Sequence, residues 1–143
     1  RNAIKMYQYI RKLLYTYHQL PSIKQYNLSW SIIKSYEERL FIQIPLLLKC
    51  NYLVSNGTIG KLKNKFLSLS ELYHIKTNIY SNRLELEDYL PITTQCGIQQ
   101  MMIHIKTGEI YLLEGLDIYY KFKNFHIYLQ NYIEIYKQIH SIF

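Results

Sequence analysis

The chain has 143 residues, 49% of them hydrophobic, and a formal charge of +7, which makes one domain able to remove roughly two thirds of its surface from water on folding. This composition excludes a disordered tail, a collagenous repeat and a disulfide-rich peptide. The longest apolar run, Ile44-Pro45-Leu46-Leu47-Leu48, is five residues, far short of the ~20 that cross a bilayer.

Met6, Ile10, Leu13, Tyr17 and Leu20 recur at helical spacing and predict a helix over about residues 2–20, ending near Pro21, with Lys5, Arg11 and Lys12 off its apolar stripe. Residues 1–27 therefore read as a basic helical extension, and 28–143 as the domain. A second helix is predicted from Asn27 or Ser29, either of which can cap it, to Leu40, with Trp30, Ile33, Tyr36 and Leu40 inward. Pro45 marks a new start, and Leu46 to Ser55 reads as a short helix stopped by Asn56-Gly57.

Phe66 to Tyr73 reads as a short strand or a turn of helix, because Leu67, Leu69 and Leu72 give no clean period. Met101, Ile103 and Ile105 alternate with Met102, His104 and Lys106, as in a half-buried strand. Lys106-Thr107-Gly108-Glu109 then predicts a tight turn, and Ile110 to Leu113 the returning strand. Tyr119 to Phe122 adds a strand after a loop containing Gly115. Asn124 caps a final helix with Phe125, Leu129, Tyr132, Tyr136 and Ile139 on one stripe. The fold class that follows is α+β: a mainly antiparallel sheet packed against N-terminal helices and a C-terminal helix.

No catalytic, cofactor-binding or metal-binding set is expected. His18, His74, His104, His126 and His140 lack the spacing of a metal site. Glu85, Glu87 and Asp88 form one acidic cluster, read as a solvated loop with no nucleophile or basic partner nearby. Gly57-Thr58-Ile59-Gly60-Lys61 departs from phosphate-loop spacing and reads as a turn leading to Lys61, Lys63 and Lys65. Cys50 and Cys96 show no CxxC or Cys/His pattern. Two buried thiols in a reducing compartment are expected, and a disulfide is the alternative.

Charge and residue choice carry more. Residues 1–65 hold eleven basic and two acidic side chains, a balance of +9, while residues 66–143 hold six and eight, a balance of −2. A field of that sign attracts an acidic protein or nucleic acid. Arg1, Lys5, Arg11, Lys12, Lys61, Lys63 and Lys65 are assigned to the partner-binding face, since none has an acidic neighbour within four residues. There are 21 Ile and 16 Tyr against one Ala and one Val, although Val and Ile serve strands almost equally. Drift in an AT-rich genome accounts for that bias, whether of a plastid, a mitochondrion, or a parasite's or small bacterium's chromosome. The low acidic content favours an organelle, a plastid ahead of a mitochondrion, with the cytoplasm as the alternative location.

Certain residues fall in a known order. Glu38-Arg39-Leu40-Phe41-Ile42-Gln43-Ile44-Pro45 leads into a helix that closes on Leu53-Val54-Ser55-Asn56-Gly57. Leu67-Ser68-Leu69-Ser70-Glu71-Leu72 follows, then Tyr89-Leu90-Pro91-Ile92, Cys96-Gly97, Ile105-Lys106-Thr107-Gly108-Glu109-Ile110-Tyr111, and Phe125 to Leu129. From about residue 28 to 132 this order resembles the SUKH superfamily, which includes fungal cell-wall-synthesis regulators and bacterial toxin-immunity proteins. The resemblance implies a non-enzymatic protein-binding domain without a cofactor. Immunity-type members tend to be acidic, and the helix over residues 2–20 lies outside the matched order. The expected function is therefore a scaffold or interaction domain. It binds an acidic protein partner within a larger organellar complex, such as a phycobilisome or photosystem assembly. The alternatives are an RNA-binding ribosomal or ribonucleoprotein subunit and a toxin-immunity protein.

Overall fold

The computed structural model describes residues 4, 5, 8, 12, 28–54, 56–57, 66–79, 83–95, 97–131 and 134. Ile4, Lys5, Gln8 and Lys12 have helical backbone. The apolar stripe predicted at Met6, Ile10, Leu13, Tyr17 and Leu20 lies outside the described residues.

Ser29 is the cap of the next helix: its hydroxyl accepts the Ile32 N–H at 3.3 Å, satisfying one of the donors that a helix start leaves open. Helix α1 then spans Trp30–Leu40, burying Ile33 and Glu37 and half-burying Tyr36 and Leu40. Trp30, expected inward, is 43% exposed. It stands at the first position of the helix, and its indole lies 5.1 Å from the Lys49 ammonium, a cation–π contact. Phe41 ends α1 in the left-handed region at φ 57°, its N–H reaching back to the carbonyls of Glu37 and Glu38.

Pro45 opens helix α2, Leu46–Val54, through a bond from the Lys49 N–H to its carbonyl at 3.0 Å. The Leu28 N–H bonds the Tyr52 carbonyl at 3.0 Å, tying the lead of α1 to the last turn of α2. Asn56 Oδ1 then accepts the Leu69 N–H at 2.8 Å. The Ser68 hydroxyl accepts the Glu71 N–H at 3.2 Å, and Glu71 Oε1 accepts the Ser68 N–H at 2.9 Å. This capping box starts helix α3, Leu69–His74. The segment read as strand or helix is both in turn: Phe66 bridges Thr93, and α3 follows. It continues as a π-helical turn over Ile75–Ile79 and is followed by a 3-10 turn at Leu84–Leu86.

Strands β1 (Tyr89–Pro91), β2 (Gln99–His104), β3 (Ile110–Glu114) and β4 (Asp117–Phe122) form an antiparallel meander in the order β1-β2-β3-β4. Pro91 lies on an edge strand, where a missing N–H is tolerated. The β2–β3 hairpin has Ile103 opposite Ile110. Ile105, expected within the strand, falls in the turn. β2 is also not half-buried: Met101, Met102 and Ile103 are all buried. Met101 and Ile103 enter the main core, while Met102 packs with Leu86, Tyr111 and Leu113 on the other face. A two-residue turn at Gly115 and Leu116 replaces the loop expected before Tyr119.

Asn124 Oδ1 accepts the Ile127 N–H at 3.0 Å and starts helix α4, residues 125–131. Phe125 and Leu129 are buried, whereas Tyr132, Tyr136 and Ile139 lie outside the described residues. Ile33, Leu48, Leu69, Leu72, Leu90, Ile103, Ile110, Phe125 and Leu129 join in one core. Helices α1 to α4 thus meet the same face of the sheet, an α+β arrangement.

Gly57 has φ 85°, and a Cβ there would stand 2.8 Å from the Ser68 nitrogen, against the backbone that caps α3. Gly108 has φ 74° but open space around it. Gly108→Ala is expected to lose about 1–2 kcal/mol from the left-handed backbone alone. Gly57→Ala is expected to lose at least about 1 kcal/mol more in urea unfolding, because the clash adds to the same penalty. Equal losses would mean that the cap yields freely.

Candidate partner-binding surface

Of the seven basic residues assigned to the partner-binding face, Lys5 and Lys12 are exposed on helical backbone. Their spacing of seven puts both on one side of the predicted helix. Arg1, Arg11, Lys61, Lys63 and Lys65 lie outside the described residues.

Among the described residues of the N-terminal part, the fold engages Lys49 and Arg39 and leaves other positive charges in solvent. Lys49 Nζ stands 3.2 Å from Glu37 Oε2, with the side chains 11% and 7% exposed. The same carboxylate oxygen accepts the Ile44 N–H at 2.8 Å. Arg39 Nη2 donates to Ser35 Oγ at 3.2 Å, and its guanidinium lies 4.8 Å from the Tyr36 ring and 5.9 Å from that of Tyr73. Lys5, Lys12 and Lys34 are exposed and belong to no ion pair among the described residues.

The acidic cluster does have basic partners, contrary to the sequence reading. Lys76 Nζ, carried by the π-helical turn, donates to the carbonyls of Leu86, Glu87 and Tyr89 at 2.8, 3.0 and 2.7 Å. Burial pushes this ammonium below its ordinary pKa, and the charges of Asp88 and Glu87 pull it back up. Arg83 Nε lies 2.9 Å from Glu85 Oε1, and Lys106 Nζ lies 3.8 Å from Asp88 Oδ2. The cluster is thus a turn fastened from beneath by one lysine.

Beside it, Tyr89, His104 and Tyr111 meet edge to face, with centroids 5.0 to 6.5 Å apart. His104 Nδ1 accepts the N–H groups of Lys106 and Thr107 at 3.2 and 3.3 Å, so this imidazole braces the hairpin turn. Cys50 is buried, and burial pushes its thiol pKa up. Cys96, His18 and His140 lie outside the described residues. Along β4 and the turn before it, Leu116, Ile118, Tyr119 and Tyr120 are each more than half exposed. A register shift between Leu112 and Leu113 breaks the pairing beside them, the kind of irregularity that protects an edge from indiscriminate strand addition.

An open groove of about 720 Å³ is lined by Lys34, Glu37, Glu38, Phe41, Ile42 and Gln43. Among the described residues no group of three or more His, Cys, Asp or Glu could hold a metal ion, and no helix is long and apolar enough to cross a membrane.

Across β3 and β4, the Tyr111 hydroxyl donates to Glu109 Oε1 at 2.7 Å, and Lys121 Nζ lies 3.0 Å from Glu109 Oε2. The Tyr111 hydrogen bond, and after it that of Lys121, holds the Glu109 carboxyl below its ordinary 4.5. The same contact pushes Tyr111 up to about 12. The contribution of Glu109 to stability is therefore whole above pH 4.5 and lost as pH falls through its lower folded value. That of Tyr111 is whole below pH 10 and lost as pH rises towards about 12. In Tyr111→Phe, the Glu109 carboxyl followed by carbon NMR is expected to titrate closer to its ordinary value than in the wild type. An unchanged midpoint would assign the depression to Lys121 alone.

Compared with protein-family models and with curated proteins, the chain finds no match in either.

Proposed function

We propose that this chain is a non-enzymatic protein-interaction domain of SUKH type that binds an acidic protein partner as a subunit of a larger organellar assembly. The observation that carries this reading is the sorting of charge. Residues 1–65 hold eleven basic and two acidic side chains. Lys49 is buried against Glu37 and Arg39 is held at the surface by Ser35 and Tyr36, whereas Lys5, Lys12 and Lys34 face solvent outside every ion pair among the described residues. Charges left in water by the fold act at long range on an oppositely charged partner, steering encounter before contact.

The SUKH reading is supported by where its motifs fall. Pro45 opens α2, Asn56 and Gly57 join α2 to α3, Ser68 and Glu71 cap α3, and Thr107-Gly108 turns the β2–β3 hairpin. An acidic antenna or photosystem subunit in a plastid has the charge that this face attracts. RNA has it too, through its phosphates.

The test is association in a native extract, with the co-purifying species identified. Reversal of Lys5, Arg11 and Lys12 to Glu is expected to abolish association and leave the thermal midpoint nearly unchanged. Nuclease is expected to leave the complex whole. Release by nuclease would replace the protein partner with RNA. Retained association would overturn the basic face as the docking surface, and a large fall in midpoint would place this segment in the core.

A further inference from the structure

Helix α1 carries an outward surface whose side chains the fold leaves largely in water. Trp30, Lys34 and Glu38 recur at i, i+4 and i+8, so they share one face of the helix. All three are exposed, Trp30 at 43%. Lys34 and Glu38 make no ion pair among the described residues, with each other or with any neighbour. Phe41 continues the same face past the end of the helix at 93% exposure, in a left-handed conformation at φ 57°.

Phe41 is an unlikely choice for folding alone. A bulky side chain at positive φ is strained, and glycine or asparagine is the usual residue there. Glycine is scarce in this chain but asparagine is common in it, so a shortage of the preferred residues does not account for a phenylalanine. Nor does burial, since the ring stands in water beside the groove that Ile42 and Gln43 also line.

We propose that this face of α1 is a self-association site, occupied by a second copy of the chain across a two-fold axis. A two-fold interface must be complementary to itself. When α1 crosses a second α1 antiparallel, with the axis between positions 34 and 38, Lys34 meets Glu38 of the second copy and Glu38 meets its Lys34. The same operation places Phe41 and Ile42 beside Trp30 of the second copy, so an aromatic contact flanks the charge pairs at each end. Buried aromatic anchors of this kind dominate interface energies. The acidic-partner reading shares only Lys34 with this face and is tested on Lys5, Arg11 and Lys12, so the two proposals fail separately.

Sedimentation velocity of the isolated chain across the micromolar range tests it. A concentration-dependent monomer–dimer equilibrium is expected. Phe41→Asn is expected to weaken dimerisation by ~10-fold or more with an equal or higher thermal midpoint, which separates loss of contact from misfolding. Lys34→Glu is expected to weaken it ~10-fold or more, because like charges then face each other twice. The double variant Lys34→Glu with Glu38→Lys is expected to restore dimerisation, since exchanging the two signs recreates both pairs across the axis. A wild type that stays monomeric throughout would overturn the proposal. So would a dimer that ignores Phe41→Asn, or one that the double variant does not rescue.

Discussion

The carboxylate of Glu37 is the interaction on which the helical layer depends. An ion taken out of water costs several kcal/mol unless other groups replace its hydration. Here the replacements come from the two segments that follow: the Ile44 N–H at the end of the turn and the Lys49 ammonium in α2. The turn from α1 into α2 is therefore set by a charge that must be satisfied. With that turn in place, Ile33, Ile44 and Leu48 enter the core together. The Leu28 N–H then finds the Tyr52 carbonyl, and the Tyr52 hydroxyl reaches the Leu67 carbonyl at 3.0 Å. Burial pushes that hydroxyl far above its ordinary pKa, with the Glu71 charge adding to the effect, so Tyr52 remains a neutral donor between α2 and the approach to α3.

The same joint determines which charges are left for function. Lys49 is committed to Glu37 and Arg39 to the Tyr36–Tyr73 seam, whose rings meet edge to face at 5.6 Å. Lys76 is committed to three carbonyls under the acidic turn. Positive charge in this protein is thus partly structural cement. Among the described residues of the N-terminal part, the positive charge that faces solvent outside any ion pair sits on the helical segment of Lys5 and Lys12 and on the outer face of α1. Two different surfaces on the N-terminal side are consequently available for two kinds of contact, one long-range and electrostatic, the other short-range and aromatic.

Much of the architecture was legible in the residues because it depends on local chemistry. Ser29 and Asn124 cap the helices they were expected to cap, and the β2–β3 hairpin turns where Thr107-Gly108 announces it. The capping box of Ser68 and Glu71 was also written in the sequence. It was obscured by Leu67, Leu69 and Leu72, which sit at a junction between bridge and helix and so follow neither period. Other features depend on distant partners and leave no local trace. Glu37 reads as a solvated helix charge until Lys49, on another helix, is found beside it. Trp30 was expected inward because it is apolar, yet at the first turn of α1 it is met by the Lys49 ammonium and stays 43% exposed. Lys76 gives no sign in sequence of the carbonyls it gathers. The basic face was legible as a charge count, which names a sign and a region but no geometry.

A double-mutant cycle between Glu37 and Lys49, read by urea unfolding, tests this account most directly. Lys49→Met is expected to cost about 3–5 kcal/mol, because it leaves the carboxylate buried without its counter-charge. Combining it with Glu37→Gln, which keeps an acceptor for the Ile44 N–H, is expected to recover much of that loss, giving a coupling of at least about 2 kcal/mol. Single losses below about 1 kcal/mol that simply add would make this an ordinary surface ion pair, and would contradict the claim that the buried carboxylate holds the helical layer together.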